Sequence, residues 1–398
     1  MHWLHALLPG LLAAAITMLL TPLVRRLALR LHAVDVPGGR KRHAGSTPRL
    51  GGLAIIAAIL IALGPGLMLL PDHARASASP SEILWFAVAT LIVFALGAAD
   101  DVIGLGAYRK LLFQLLAASI VVAIGWQFTA LRLPLEGRFY IGALAPLLSL
   151  LWIVGVTNGI NFIDGLDGLA AGIVAIISSS LLLLAFLQHS PETVVLTSSM
   201  AGACIGFLRH NWRPARIYMG DSGSLTLGFL LATISLRFSP SVKASAAVAI
   251  LVPILALGLP IFDTLMVMWY RFLRGHRLTN RVARMFRADR AHLHHLLVDN
   301  RGERTRVMPT LYGLAVGFCL MALLVATSDS LWLGLSFLGV EFLAVMLIRK
   351  SGFNAEARRL ADERLERLDQ ASPRSEDAAV LPRAEIATGL ERVEPATK

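Results

Sequence analysis

Apolar residues group along the chain into runs of about 15–24 residues separated by short polar stretches, and runs of that length cross a bilayer core as helices. Eleven spans are predicted, at 4–23, 51–70, 83–99, 111–127, 140–157, 169–187, 194–208, 223–237, 245–269, 308–326 and 330–348. The expected fold class is all-α: a polytopic, integral membrane helical protein of about 11 transmembrane helices. Pro253, Gly258 and Pro260 predict a kink or break inside the ninth span, where proline and glycine free backbone groups that neighbouring helices must satisfy. No internal repeat of the kind that builds many transporters is traceable.

Composition agrees with the pattern. The 398 residues are 56% hydrophobic and only 16% charged, against about 25% charged in a soluble domain. The first run is not a cleavable leader, because Arg25, Arg26 and Arg30 follow it where a signal peptide carries its charge ahead. Arginine also crowds the loop after the ninth span, from Arg271 to Arg306, whereas Gln188–Thr193 and Ser328–Ser330 are nearly neutral. Positive loops stay inside, so the N-terminus is expected outside and the C-terminus in the cytoplasm. Residues 1–350 then form the transmembrane domain, with cytoplasmic loops 24–50, 99–110, 158–168, 209–222 and 270–307. Residues 351–398 form a cytoplasmic tail, helical to Gln370 and disordered beyond.

The net charge of +11 does not indicate nucleic acid, since the arginines lie in short loops between spans. A basic cytoplasmic face suits anionic membrane lipids and nucleotide diphosphates. Cys204 and Cys319 lie inside apolar runs and read as small hydrophobes, with no disulfide framework or zinc spacing.

Three acidic clusters fall where spans meet cytoplasmic loops: Asp100-Asp101, Asn161-x-x-Asp164-Gly-x-Asp167-Gly168, and Met219-Gly220-Asp221-Ser222-Gly223. Carboxylates at a bilayer boundary need a metal, a cation or water. Two adjacent carboxylates at a helix C-terminus oppose its dipole, which favours metal or cation binding with a base over a solvated helix end. Asn161 and Asp164 share a face if the segment is helical, and such oxygen donors suit Mg²⁺. Asp221 is a metal ligand or the cap of the eighth span. His292, His294 and His295 lack zinc-peptidase spacing and suit contacts to phosphate or sugar. Arg40, Lys41, His43 and Arg49 sit at headgroup depth, and Arg109 and Lys110 are placed to neutralise a diphosphate. Asp263 lies within an apolar run and needs a partner, either an arginine or the active site it supports.

Taken together, Arg40-Lys41-Arg42-His43 with Pro48-Arg49-Leu50-Gly51-Gly52, Asp100-Asp101, Asn161-x-x-Asp164-Gly-x-Asp167-Gly-Leu169, Met219-Gly-Asp221-Ser-Gly-Ser224 and His292-x-His294-His295 resemble the polyprenyl-phosphate N-acetylhexosamine-1-phosphate transferase family over about residues 35 to 297. The form of the histidine group resembles the branch using UDP-N-acetylglucosamine (UDP-GlcNAc). The branch using UDP-MurNAc-pentapeptide has three consecutive histidines, a run that Leu293 interrupts here. The resemblance implies transfer of GlcNAc-1-phosphate from UDP-GlcNAc to undecaprenyl phosphate, with release of UMP, at the cytoplasmic face of a bacterial inner membrane, the alternative being the same reaction with another UDP-N-acetylhexosamine or with UDP-MurNAc-pentapeptide. It further implies Mg²⁺, with Mn²⁺ as an alternative, and the first step of a surface glycan such as O-antigen in lipopolysaccharide or a cell-wall polymer. On this basis Asp221, Asp100 and Asp101 are the expected metal ligands, and Asp100, Asp101, Asp164 and His292 the expected catalytic residues. Asn161, Asp167, Lys110, Arg109, His294, His295, Arg40, Lys41, His43 and Asp263 are the expected substrate contacts. Homodimers are common among such membrane enzymes, and a homodimer is compatible with the sequence. Two rivals are an ion-coupled transporter, which would place its acidic groups at mid-membrane, and a CDP-alcohol phosphatidyltransferase, whose Asp-Gly-x-x-Ala-Arg motif has no arginine at the matching position here.

Overall fold

The computed structural model describes residues 3–35, 47–70, 79–128, 131–132, 138–139, 142–241, 246–273, 292–293, 296–297 and 307–371. Among them are twelve α-helices: α1 (Trp3–Arg30), α2 (Gly51–Met68), α3 (Pro80–Ile103), α4 (Ala107–Ala123), α5 (Ala145–Ile163), α6 (Leu169–Leu187), α7 (Pro191–Asn211), α8 (Gly220–Ser241), α9 (Ala246–Ala256), α10 (Gly258–Leu273), α11 (Val307–Ser328) and α12 (Leu331–Ala371). Two short antiparallel ladders join them, β1 (Val34–Asp35) with β2 (Thr47–Pro48) and β3 (Leu131–Arg132) with β4 (Arg138–Phe139). The chain divides into two compact units, Met1–Gly352 and Phe353–Lys398. Within the second, residues to Ala371 are helical, and the stretch expected to be disordered lies outside the described residues.

Eight helices among the described residues are long and apolar enough to cross a membrane. Of the eleven predicted spans, the fourth, eighth and ninth fall outside that group. At 17 residues α4 reaches only about 26 Å, short of a core of about 30 Å. The α8 helix carries Ser222, Ser224, Thr226, Thr233 and Ser235, all fully buried. Thr226 and Thr233 return their hydroxyls to carbonyls four residues back. It therefore tolerates polarity because protein, not lipid, surrounds it. The ninth span breaks between Ala256 and Gly258, where proline and glycine predicted a break.

Helices α3, α5 and α2 pack around α8, and α1 lies along α7. The α1–α7 contact is made by small residues four apart. Gly202 meets the backbone of Gly10, Gly206 that of Ala14, and the Ser198 hydroxyl donates to the carbonyl of Ala6. Such stripes let helix backbones approach closely where no hydrophobic effect drives association.

Candidate active site

The start of α8 is the fixed point of the site. Gly220 has φ 74°, a conformation open to glycine at little cost. The first amides of a helix need acceptors, and here Asp101, from the end of α3, supplies both of its oxygens. The Asp221 amide donates to Oδ1 at 2.8 Å and the Ser222 amide to Oδ2 at 3.0 Å. Asp101 therefore caps another helix at its positive end, which offsets its unfavourable place at the negative end of its own. The amides of Gly51 and Gly52, opening α2, donate to the carbonyls of Tyr218 and Met219 at 3.0 and 2.8 Å. Gly97 of α3 lies against the backbone of Asp221 and Ser222, and Gly52 against Gly223. Side chains at either glycine would push α8 away.

Held in this way, the Asp221 carboxylate faces two neighbours. Asn161, in the last turn of α5, donates to Asp221 Oδ1 at 3.0 Å and to Ser224 Oγ at 2.8 Å. The Lys110 ammonium, in the first turn of α4, lies 2.7 Å from Asp221 Oδ2 and 2.7 Å from Asp100 Oδ2. The Leu105 amide holds the other oxygen of Asp100 at 2.7 Å. Helices α3, α4, α5 and α8 thus converge by their ends on one face of the bundle. Asp164 is the C-cap of α5, outside the helix, so it does not share the helical face of Asn161. Burial, then the charges of Asp221, Asp101 and Asp167, push its carboxyl up to about 8, against the opposing charge of Arg49. Burial and the neighbouring negative charge together favour its protonated form. Asp167 Oδ2 accepts from the Ala215 amide at 3.0 Å and ties the loop before α8 to the one before α6. Arg49 pairs with Asp35 across the β1–β2 ladder, and Arg109 is exposed.

The donor set fits a divalent cation of Mg²⁺ type. Lys110 already bridges Asp100 and Asp221, so the two carboxylates are close enough to share one positive group. No group of three or more His, Cys, Asp or Glu side chains among the described residues could hold a metal. Mg²⁺ needs no such cage, since it takes one or two carboxylates and completes its shell with water and substrate phosphate. Asp101, with both oxygens engaged by backbone amides, is the poorest ligand of the three.

A second polar group lies at α10. Asp263 Oδ2 is 2.9 Å from His292 Nδ1, Oδ1 accepts from the Leu293 amide at 2.9 Å, and Arg349 Nη1 of α12 lies 3.4 Å from Oδ1. The His292 ring packs on Phe162, with centroids 5.0 Å apart, next to Asn161 in sequence. Asp263 therefore has both partners considered for it, an arginine and a site residue. His294, His295, Arg40, Lys41 and His43 lie outside the described residues. Sequence reasoning missed Ser224, although it follows Asp221 by three residues in the same motif. It also missed Arg349, which reads as a topogenic charge at the end of a span.

A family model described as glycosyl transferase family 4 matches residues 83–239, the stretch holding α3 to α8. A Bacillus subtilis (strain 168) protein named "Probable undecaprenyl-phosphate N-acetylglucosaminyl 1-phosphate transferase" is 34% identical over 334 residues, covering 83% of this chain and 87% of its own length. The chain belongs to glycosyl transferase family 4. Other relatives in glycosyl transferase family 4 differ in the sugar their names state. The decaprenyl-phosphate N-acetylglucosaminephosphotransferase of Mycobacterium leprae is 34% identical over 77% of this chain and 80% of its own. The phospho-N-acetylmuramoyl-pentapeptide-transferase of Moorella thermoacetica is 32% identical over 81% of this chain and 99% of its own. As a family 4 member the chain is an enzyme and a multi-pass membrane protein with bacterial relatives.

Proposed function

We propose that this enzyme transfers GlcNAc-1-phosphate from UDP-GlcNAc to undecaprenyl phosphate, releasing UMP, at the cytoplasmic face of the bacterial inner membrane, and so starts a surface glycan. The observation that carries the reading is the Asp100–Lys110–Asp221 bridge at the joined ends of α3, α4 and α8, in a chain whose relatives are named for this class of transfer. Asp221 and Asp100 would hold Mg²⁺, which when bound screens the two anionic substrates and polarises the transferred phosphoryl group.

The lipid phosphate has a second pKa near 6, so at neutral pH it is mostly a dianion and needs no strong base. Its oxygen attacks the β-phosphorus, the bond from that phosphorus to the bridging oxygen breaks, and UMP leaves with that oxygen. Asp100 orients the incoming phosphate. Lys110, displaced from between its two carboxylates, follows the diphosphate charge. Asn161 fixes the rotamer of Asp221. His292, oriented through Nδ1 by Asp263, presents Nε2 to phosphate or sugar oxygens.

Relatives named for the muramoyl-pentapeptide reaction keep a second donor in view. Leu293 supports GlcNAc, because its side chain is buried, 2% exposed, and fills the core rather than joining a histidine triplet. Purified protein given Mg²⁺, undecaprenyl phosphate and a panel of UDP-sugars is expected to release UMP with UDP-GlcNAc. Release with UDP-MurNAc-pentapeptide alone would replace the donor and keep the reaction.

A further inference from the structure

The catalytic reading leaves one ionisable group unused. Glu341 is the eleventh residue of the 21-residue span Leu331–Ser351, at its middle. It is fully buried, and neither carboxylate oxygen has a hydrogen-bond partner among the described residues. Asp263, the other buried acid of this region, shows the contrast, since a histidine, a backbone amide and an arginine surround it.

Glu341 lies against α10, and α11 is close by. Oε2 lies against Gly258, the first residue of α10, closely enough that any side chain at 258 would collide with it. On α11, Cys319 is within electrostatic reach of Glu341 and beside the Ser180 hydroxyl of α6. The Cys319 thiol lies 3.8 Å from the Ala256 carbonyl at the end of α9, a weak donor at most. The break explains why that carbonyl is available. Residue 260 is proline and has no N–H to offer the carbonyl four residues earlier. The break thus leaves the Ala256 carbonyl without its backbone donor.

Among the described residues, the charged and titratable groups near Glu341 are few. Cys319 is the group on α11. On α10 Asp263 is already paired with Arg349, which follows Glu341 on α12 by two turns, about 12 Å along the axis. Arg349 is thus too far to neutralise Glu341 directly. An unpaired carboxylate in a bundle interior neutralises itself instead of remaining charged.

We propose that Glu341 is a proton-binding site in the middle of the bundle, holding a neutral carboxyl beside the break between α9 and α10. This site is separate from the transferase centre and stands whether or not the proposed reaction does. Through Gly258 and α10 it bears on Asp263 and hence on the placement of His292, so α12 docks on α10 by an uncharged contact at one end and an ion pair at the other.

The test is infrared spectroscopy of the full-length protein in lipid nanodiscs, in H₂O and D₂O, with thermal unfolding alongside. At pH 7 the wild-type protein is expected to show the carbonyl band of a protonated carboxylic acid that Glu341→Gln removes. Because glutamine matches the neutral acid in shape, E341Q should unfold at the wild-type temperature. Unfolding should also be the same in sodium chloride and choline chloride. A band unchanged in E341Q, or a marked loss of stability in E341Q, would overturn the proposal. So would a stabilisation by sodium that wild type shows and E341Q lacks, since sodium would then be the occupant.

Discussion

Asp221→Ala is expected to abolish UMP release while leaving the protein folded. The carboxylate has two partners, Lys110 and Asn161. Each keeps another after the substitution, Asp100 for the lysine and Ser224 for the asparagine. No buried charge is stranded, so unfolding temperature should change little. Activity should change greatly. If Asp221 is a principal metal ligand, its loss forfeits several kcal/mol of charge stabilisation in the transition state. At about 1.4 kcal/mol per factor of ten, that is roughly a thousandfold or more. Turnover within tenfold of wild type at saturating Mg²⁺ would remove Asp221 from the centre of the reaction.

Asp101→Ala and Gly220→Ala should share one defect that Asp221→Ala lacks, a loss of stability together with a loss of activity. In the first, two amides at the start of α8 lose their acceptor, and each buried donor left unmet costs about 1–3 kcal/mol. In the second, a Cβ at residue 220 would stand 2.5 Å from Asp101 Oδ2, in a left-handed conformation that costs a non-glycine residue about 1–2 kcal/mol more. Either change tilts the first turn of α8 and moves Asp221, so the concentration of Mg²⁺ at half-maximal rate should rise as the unfolding temperature falls. Wild-type stability with a collapsed rate in Asp101→Ala would instead make Asp101 a direct participant in the chemistry, as the sequence suggests.

That difference shows where sequence stops being informative. The Asp100-Asp101 pair stands out in the sequence because adjacent carboxylates at a membrane boundary are costly. Its division of labour was not. The partner amides of Asp101 are 120 and 121 residues away, and only the packing of α3 on α8 reveals that Asp100 meets a lysine and Asp101 a helix end. The break at 256–258 was legible because proline and glycine act locally. The polar eighth span was harder, since hydropathy measures affinity for lipid and α8 is surrounded by protein. Glu341 is plainly visible as a lone acid in an apolar run, yet its meaning depends on Gly258, Ser180 and Cys319, which no spacing rule connects to it. Asn161 and Asp164 would share a face in a continuous helix, but the chain leaves the helix at Ile163.

The central claim is that these helix ends transfer a phosphosugar, breaking the bond between the two phosphates of the donor and not the bond from sugar to phosphate. UDP-GlcNAc carrying radioactive phosphorus only in its β-phosphate, incubated with purified enzyme, Mg²⁺ and undecaprenyl phosphate, separates the two. The account predicts that the label moves into the organic phase with the lipid as unlabelled UMP is released. Label retained in water-soluble UDP, with the sugar alone on the lipid, would contradict it.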